Sequence, residues 1–583
     1  MATKRAHEPI IELENYSFTY REQSTPTLND INLRVNAGEK IAIVGPSGCG
    51  KSTLLHALNG LIPHHYKGKH TGQIQVAGMD PNRASLVQVA THVGTVLQDS
   101  SNQFVSLTVA EDIAFSLENQ AVPHADMPPR VQHAARTVDM EPYLDASPQD
   151  LSGGQKQRVA MAGVLVDDVD ILLFDEPLAM LDPASGRQTI ELIDRLHNQG
   201  GRTIVIVEHR IEDVLHRDVD RLILMDNGQI VADTTPDQLV ASGLLEEHGI
   251  RPPLHVTALR YAGVDVDAAA HPANVRRMNL TKTQKQAVRQ WVNDGNQTRC
   301  ETAATQTPAL RLKQVHATYE RSGEQADVVA LEDVSVDIPH GAMVGIVGSN
   351  GAGKSTLARV VCGFIPLAGG TVSINGEDAS NWSLTKRGQH VGFVLQEPGQ
   401  MLSCPMIRDE VQLGLKARGI TGSDAHRRVE NALKTCGLWP YRSWPISALS
   451  HGQKKRVTIA AILAMEPSVL ILDEPTAGQD FAHYTEFMDF LARVNQQGTT
   501  VILITHDMHL AVEYTDRVLV VSDGAIIADD HPSKVLTDEN ITKRADLVTT
   551  GLYELAKTCA VADPSQLVRR FIEVDRQKRG VHA

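Results

Sequence analysis

Two octapeptides in the chain have the residue types and spacing to bind phosphate. Gly45-Pro46-Ser47-Gly48-Cys49-Gly50-Lys51-Ser52 and Gly348-Ser349-Asn350-Gly351-Ala352-Gly353-Lys354-Ser355 both fit the pattern GxxxxGK[ST]. Each follows an apolar run (41–44 and 344–347) and precedes a helix-like segment, which is the context the pattern requires. Glycines let the backbone close around phosphate oxygens, and successive N–H groups with a helix N-terminus then face the anion. At this spacing Lys51 and Lys354 reach the β- and γ-phosphates, and Ser52 and Ser355 ligate Mg²⁺. Thr53 and Thr356, next in line, belong to the same nucleotide-binding stretch. A second pair of motifs supplies acids. The apolar runs 171–174 and 469–472 end in Asp175-Glu176 and Asp473-Glu474. A carboxylate at a strand C-terminus lies beside the phosphate loop in such a fold. The first acid of each pair is placed to hold the Mg²⁺ shell and the second to polarise an attacking water, which is most of what phosphoryl transfer needs.

These motifs recur at nearly constant offset. Lys51 to Lys354 spans 303 residues, Gln98 to Gln396 298, Asp175 to Asp473 298 and His209 to His506 297. The chain is therefore a duplicated domain; the period is far too long for a solenoid. Short Val- and Ile-rich runs separated by helical patterns predict buried parallel strands, so the fold class is α/β with helices on both faces of each sheet. Alternating segments near 10–18 and 73–76 predict a small antiparallel sheet. The expected domains are 1–245 (first ATPase domain), 246–308 (a linker with a short helix at 282–292 opened by Thr281), 309–537 (second ATPase domain) and 538–583 (a helical tail). The tail reads equally as an exposed amphipathic appendage or as a packing element.

At 583 residues, 42% hydrophobic and 21% charged, the composition is that of an ordinary globular protein of several domains. No run approaches the roughly 18 apolar residues that span a bilayer, and the N-terminus lacks an apolar signal core, so a cytosolic chain is expected. Six scattered cysteines without a CxxC pair argue against a zinc or iron–sulfur site. His64, His65 and His70 lie in a Gly- and Lys-rich stretch that reads as a solvated loop and not as a ligand set. The net charge of −15 argues against nucleic acid as a partner.

Leu151-Ser152-Gly153-Gly154-Gln155 and Leu449-Ser450-His451-Gly452-Gln453 complete the set. With the phosphate loops and acids they resemble the ABC ATPases over both halves of the chain. The resemblance implies two tandem ABC-type P-loop ATPase domains, each with a parallel-sheet core, a small antiparallel β subdomain and a helical signature subdomain. It implies ATP and Mg²⁺ as ligands. It also implies intramolecular pairing of the halves, so that Lys51 works with Ser450 and Gly452, and Lys354 with Ser152, Gly153 and Gly154. By the same resemblance Gln98 and Gln396 touch Mg²⁺ beside Asp175 and Asp473. Glu176 and Glu474, with the switch histidines His209 and His506, are the catalytic residues. Asp182 and Asp480 match the D-loop, and Tyr20 and Tyr319 the aromatic that stacks on adenine.

The segments around Gln98-Asp99, Asn59-Gly60-Leu61-Ile62-Pro63, Val207-Glu208-His209-Arg210 and Gln396-Glu397-Pro398 are similar to the energy-coupling-factor (ECF) branch of the family. That likeness implies an ATPase that energises an importer of vitamins, vitamin precursors or related trace nutrients. Its partners would be a transmembrane coupling subunit and a substrate-binding membrane subunit, and it would sit peripherally on the cytoplasmic face of the membrane. Asp99, Glu111, Asp112, Glu397, Asp409 and Glu410 are candidates to meet basic residues of the coupling subunit. Two alternatives stay open. A fused sugar-importer ATPase usually has one damaged phosphate loop, whereas both are complete here. A ribosome-acting ABC-F-type ATPase needs a long, strongly charged helical arm, and 246–308 is short and mixed in sign.

One signature glycine is replaced by His451, so the resemblance implies an altered lid over the site built on Lys51. Glu474→Gln is therefore expected to reduce steady-state ATP hydrolysis more than Glu176→Gln. Equal losses in a phosphate-release assay would contradict an inequality of the two sites.

Overall fold

A computed structural model describes residues 9–98, 103–179, 181–295, 307–319, 328–476 and 479–579. The chain forms two compact units, Met1–Gln284 with Gly478–Ala482, and Lys285–Ala477 with His483–Ala583.

In the first unit the fully buried apolar strand Lys40–Val44 sits inside a six-stranded sheet. The order is Val93–Val96, Ile171–Asp175, Thr203–Val207, Lys40–Val44, Arg221–Asp226, Gln229–Thr234. All neighbours are parallel except the last pair, which is an antiparallel hairpin. The second unit repeats this order with Val391–Val394, Val469–Asp473, Thr500–Ile504, Met343–Val347, Arg517–Ser522 and Ala525–Asp530. Uninterrupted apolar runs suit strands covered on both faces, as the sequence pattern predicts. The antiparallel sheets are also present. Pro9–Tyr20 pairs with Leu28–Asn36 and Gly68–Val76, and Leu310–Tyr319 pairs with Val328–Ile338 and Gly369–Ile374.

Between the strands that carry the Q-loop and the acids lies a helical layer. It comprises Val109–Asn119, Met127–Thr137 and Gly153–Leu165 in the first unit, and Ile407–Ala417, Gly422–Thr435 and His451–Leu463 in the second. The helix Lys282–Asn293 starts where Thr281 Oγ1 accepts the Gln284 N–H (3.2 Å), so Thr281 caps it as its residue type suggests. The stretch before it, 246–281, is built onto the first unit. Leu254 N–H donates to Glu212 Oε2 (3.0 Å), His271 Nδ1 lies 2.9 Å from Asp237 Oδ2, and buried His255 bonds the Pro272 carbonyl (2.8 Å).

The tail helices Gly551–Thr558 and Pro564–Lys578 bury Leu552, Leu555, Leu567, Val568 and Phe571, so they are packing elements of the second unit. Arg579 fixes the end of the tail. Its guanidinium pairs with Glu513 (3.3 Å) and Asp575 (2.9 Å), both buried, and lies over the Tyr514 ring (5.0 Å). Tyr484 OH donates to the second Glu513 oxygen (3.1 Å). Removing one partner of a buried ion pair typically costs about 3–5 kcal/mol, and the partial exposure of Arg579 lowers that here. Arg579→Met should cost the second unit about 2–3 kcal/mol. The check is urea unfolding followed at several wavelengths; a midpoint unchanged from wild type would show that the network contributes nothing.

Candidate functional site

Each phosphate loop leaves a fully buried strand and enters a helix whose N-cap is a glycine in the left-handed region, Gly50 (φ 104°) before Lys51–Leu58 and Gly353 (φ 107°) before Lys354–Cys362. No side chain caps either helix, so the first-turn N–H groups remain available to an anion. The loops permit no side chain at their first glycine. A Cβ on Gly45 would lie 2.2 Å from the Met225 carbonyl oxygen, and one on Gly348 2.1 Å from that of Val521. The lysines are buried and folded onto their own loops. Lys51 Nζ donates to the carbonyls of Gly45 (2.8 Å) and Pro46 (2.9 Å), and Lys354 Nζ to those of Gly348 (2.9 Å) and Ser349 (2.8 Å). A lysine ammonium held on loop carbonyls at an uncapped helix N-terminus fits a polyphosphate.

The parallel register aligns Asp175 with Val207 and Asp473 with Ile504, so the acids and the histidines two residues further on share one edge of the sheet. Ser52 Oγ donates to Asp175 Oδ1 (3.0 Å), and Ser355 bonds Asp473 in the same way. Burial, with the Glu176 charge beside it, pushes the Asp175 carboxyl up to about 6; burial likewise raises Asp473. A hydroxyl and a carboxylate in a partly dehydrated corner are the hard oxygen donors that Mg²⁺ takes.

Glu176 and Glu474 are both in the left-handed backbone region (φ 48° and 46°), an uncommon conformation for a glutamate that recurs at functional sites. The turn aims each carboxylate at its histidine. His209 Nε2 lies 2.5 Å from Glu176 Oε1, while His506 uses Nδ1, 2.8 Å from Glu474 Oε1. Gln98 Nε2 donates to the other Glu176 oxygen (2.6 Å). Such a carboxylate can accept a proton from water held beside it.

The remaining expected residues have these local positions. Tyr20 and Tyr319 place their hydroxyls on Thr53 Oγ1 (3.1 Å) and Thr356 Oγ1 (3.2 Å), which sets both rings beside the phosphate-loop helices. Ser152 and Ser450 are N-caps of the signature helices, each accepting from the glutamine N–H three residues on (3.3 Å) in a full capping box. Gly153 and Gly154 form the first turn of one helix, and around Gly452 in the other there is open space. Asp182 caps Pro183–Gly200 by accepting the Ser185 N–H (2.9 Å). Within the first unit the Ser47 N–H donates to Asp480 (2.7 Å). Asp99 and the side chain of His451 lie outside the described residues. The histidines expected on a solvated loop are instead mostly in regular elements: His64 ends the helix Leu61–His64 and bonds the Ala84 carbonyl (2.8 Å), His65 follows it against Tyr66, and His70 is in the strand Gly68–Val76 against Tyr16.

One residue escaped sequence reasoning. Lys455, on the second signature helix, is 1% exposed and donates to the Pro475 carbonyl (2.5 Å) directly after Glu474. In the first unit the neutral Gln157 makes the same contact to Pro177 (2.5 Å). The pairing of two basic residues after Ser-His-Gly-Gln with Lys-Gln after Ser-Gly-Gly-Gln was the only signal. Burial pulls the Lys455 ammonium down to about 8, against the attraction of Glu397 and Glu474.

A model for the ABC transporter family matches residues 28–179 and 331–477, and a second, described as ATP-binding cassette cobalt transporter, matches 242–316. Among curated relatives, provisionally named ABC transporter ATP-binding proteins, one from Enterococcus faecalis is 50% identical over 98% of this chain and 99% of its own length. One from Vibrio parahaemolyticus is 50% identical over 98% and 97%, and one from Clostridium perfringens 47% identical over 98% and 99%.

A lysine with a lowered folded value binds its proton more weakly in the fold than in the unfolded chain, so its penalty is complete below about pH 8 and is relieved as pH rises towards its ordinary value near 10.4. The stability of wild type relative to Lys455→Gln should thus rise by about 2 kcal/mol between pH 7.5 and 9.5. Thermal melts of both proteins at the two pH values check this; a constant difference would place the ammonium in solvent.

Proposed function

The chain belongs to the ABC transporter ATP-binding protein family, and we propose that it is the energising subunit of an ECF-type importer. The ABC domains bind ATP with Mg²⁺ and hydrolyse it. In this reading Lys51 and Lys354, with the N–H groups of the uncapped helices, bind the phosphates. Bound Mg²⁺, held by Ser52, Asp175 and Gln98 or by Ser355, Asp473 and Gln396, supplies charge neutralisation to the phosphoryl oxygens. Glu176 and Glu474 take the proton of the attacking water, oriented by His209 and His506. Tyr20 and Tyr319 stack on adenine, and Ser152, Gly153, Gly154, Ser450 and Gly452 present donors to the γ-phosphate of the opposite half. The carrying observation is the Gln98–Glu176–His209 chain of contacts, in which the Q-loop, the acid and the switch residue meet at one carboxylate.

No helix among the described residues is long and apolar enough to cross a membrane. In this reading the cargo path belongs to partner subunits, with the chain at the cytoplasmic face. Exposed Leu97, Val105, Leu107 and Phe115, with Glu111 and Asp112, offer an apolar and acidic docking face next to the Q-loop of the first unit. The ECF resemblance favours a vitamin or vitamin-precursor cargo. The match of 242–316 to the cobalt-transporter model favours a second reading, a divalent metal ion.

Cells that lack the chain should lose uptake of one cargo, and Glu474→Gln should not restore it. Uptake of radiolabelled thiamine and radiolabelled cobalt, measured side by side, separates the two readings. Loss of neither, with the chain co-sedimenting with ribosomes, would sink both.

A further inference from the structure

His209 sits between two charged residues that grip a distant segment. Glu208 is 2% exposed. Its Oε2 accepts the Leu178 N–H (3.0 Å), and its Oε1 accepts the N–H groups of His209 (2.8 Å) and Arg210 (3.3 Å). Arg210 Nη1 donates to the carbonyls of Leu178 (3.2 Å) and Leu181 (3.5 Å), and Nη2 pairs with Asp213 (2.6 Å). Leu178 and Leu181 are buried, so these side chains serve backbone groups with little access to water. Leu181 immediately precedes Asp182, which starts the next helix. Three residues between Glu176 and Asp182 are therefore held from residues 208–210: Glu176 by His209, Leu178 by Glu208 and Arg210, and Leu181 by Arg210.

We propose that Glu208 and Arg210 form a charged brace that makes the switch segment and the D-loop of the first half move as one body. They are positioning residues for Glu176, His209 and Asp182, and the brace makes the two ATP sites mechanically unequal. This rests on the roles given above to Glu176 and His209.

The second half cannot build the same brace. Its residues flanking His506 are Thr505 and Asp507. An aspartate carries no side-chain N–H and cannot donate to backbone carbonyls as Arg210 does. Thr505 is shorter and neutral, and its Oγ1 accepts the Asp507 N–H (2.9 Å); Asp507 in turn caps Met508–Tyr514 through the His509 N–H (2.8 Å). Glu208 bonds across 30 residues, whereas Thr505 and Asp507 bond each other and the start of the next helix across two.

The chain itself supplies the test. The double variant Glu208→Thr/Arg210→Asp installs residues that the second half already tolerates. On the purified full chain carrying Glu474→Gln, where the remaining turnover comes from the site built on Glu176, kcat for ATP should fall about tenfold, as expected when groups that act together are loosened. KM and the Kd of a fluorescent ATP analogue should stay within about twofold, because the phosphate loop is untouched. If the double variant does not fold, Arg210→Gln serves, with a loss of about three- to fivefold that Arg210→Lys partly reverses. An unchanged kcat, a change in KM alone, or a lowered Tm with normal kcat would overturn the brace as a positioning device. His209→Ala is measured alongside. If, in the same Glu474→Gln background, it keeps the parent turnover, the assignment of His209 fails; if it is inactive while the brace variants are normal, only the brace fails.

Discussion

The parallel register between Ile171–Asp175 and Thr203–Val207, repeated by Val469–Asp473 and Thr500–Ile504, is the constraint from which the site follows. It puts the last residue of one strand level with the last residue of the next. Whatever follows the two strands then shares one edge, beside the phosphate loop that leaves the adjoining strand. The chain spends that edge on an acid in a left-handed turn and on a histidine two residues past the neighbouring strand. A slip of one residue would exchange the faces of every side chain in the strand and separate the pair.

What the sequence made legible follows from this. The phosphate loops, the acids, the switch histidines and the signature helices are short, local patterns whose backbone needs dictate residue type. Glycine at 45 and 348 is compulsory because a carbonyl lies where a Cβ would go. Serine at 152 and 450 is an N-cap with glutamine three residues on. The alternation in Pro9–Tyr20 and the unbroken run in Lys40–Val44 announced two different kinds of sheet for the same reason.

The rest was not legible because it consists of contacts between residues far apart that share no spacing rule. Glu208 reaches Leu178, Lys455 reaches Pro475, and Arg579 reaches Glu513 across 66 positions. Nothing in a run such as Val-Glu-His-Arg says that the acid will be buried against a backbone N–H. The tail was ambiguous for a related reason: an amphipathic helix shows that it has an apolar face but not what covers it.

Duplication makes these hidden contacts readable after the fact, because each half is a control for the other. Gln157 and Lys455 make the same hydrogen bond to the same backbone position, so the contact itself does not require a charge. A buried ammonium is an unfavourable choice for stability when an amide suffices. The difference must then lie in what the charge does to its surroundings. Glu397 and Glu474 both attract it, and the second of these is the acid at the sheet edge. A cation at this position attracts that acid in one half only. Residues 208–210 beside Glu176 and the cation near Glu474 thus surround the two acids at the sheet edge by different means, one through backbone hydrogen bonds and the other through charge, on sheets whose strand order is the same.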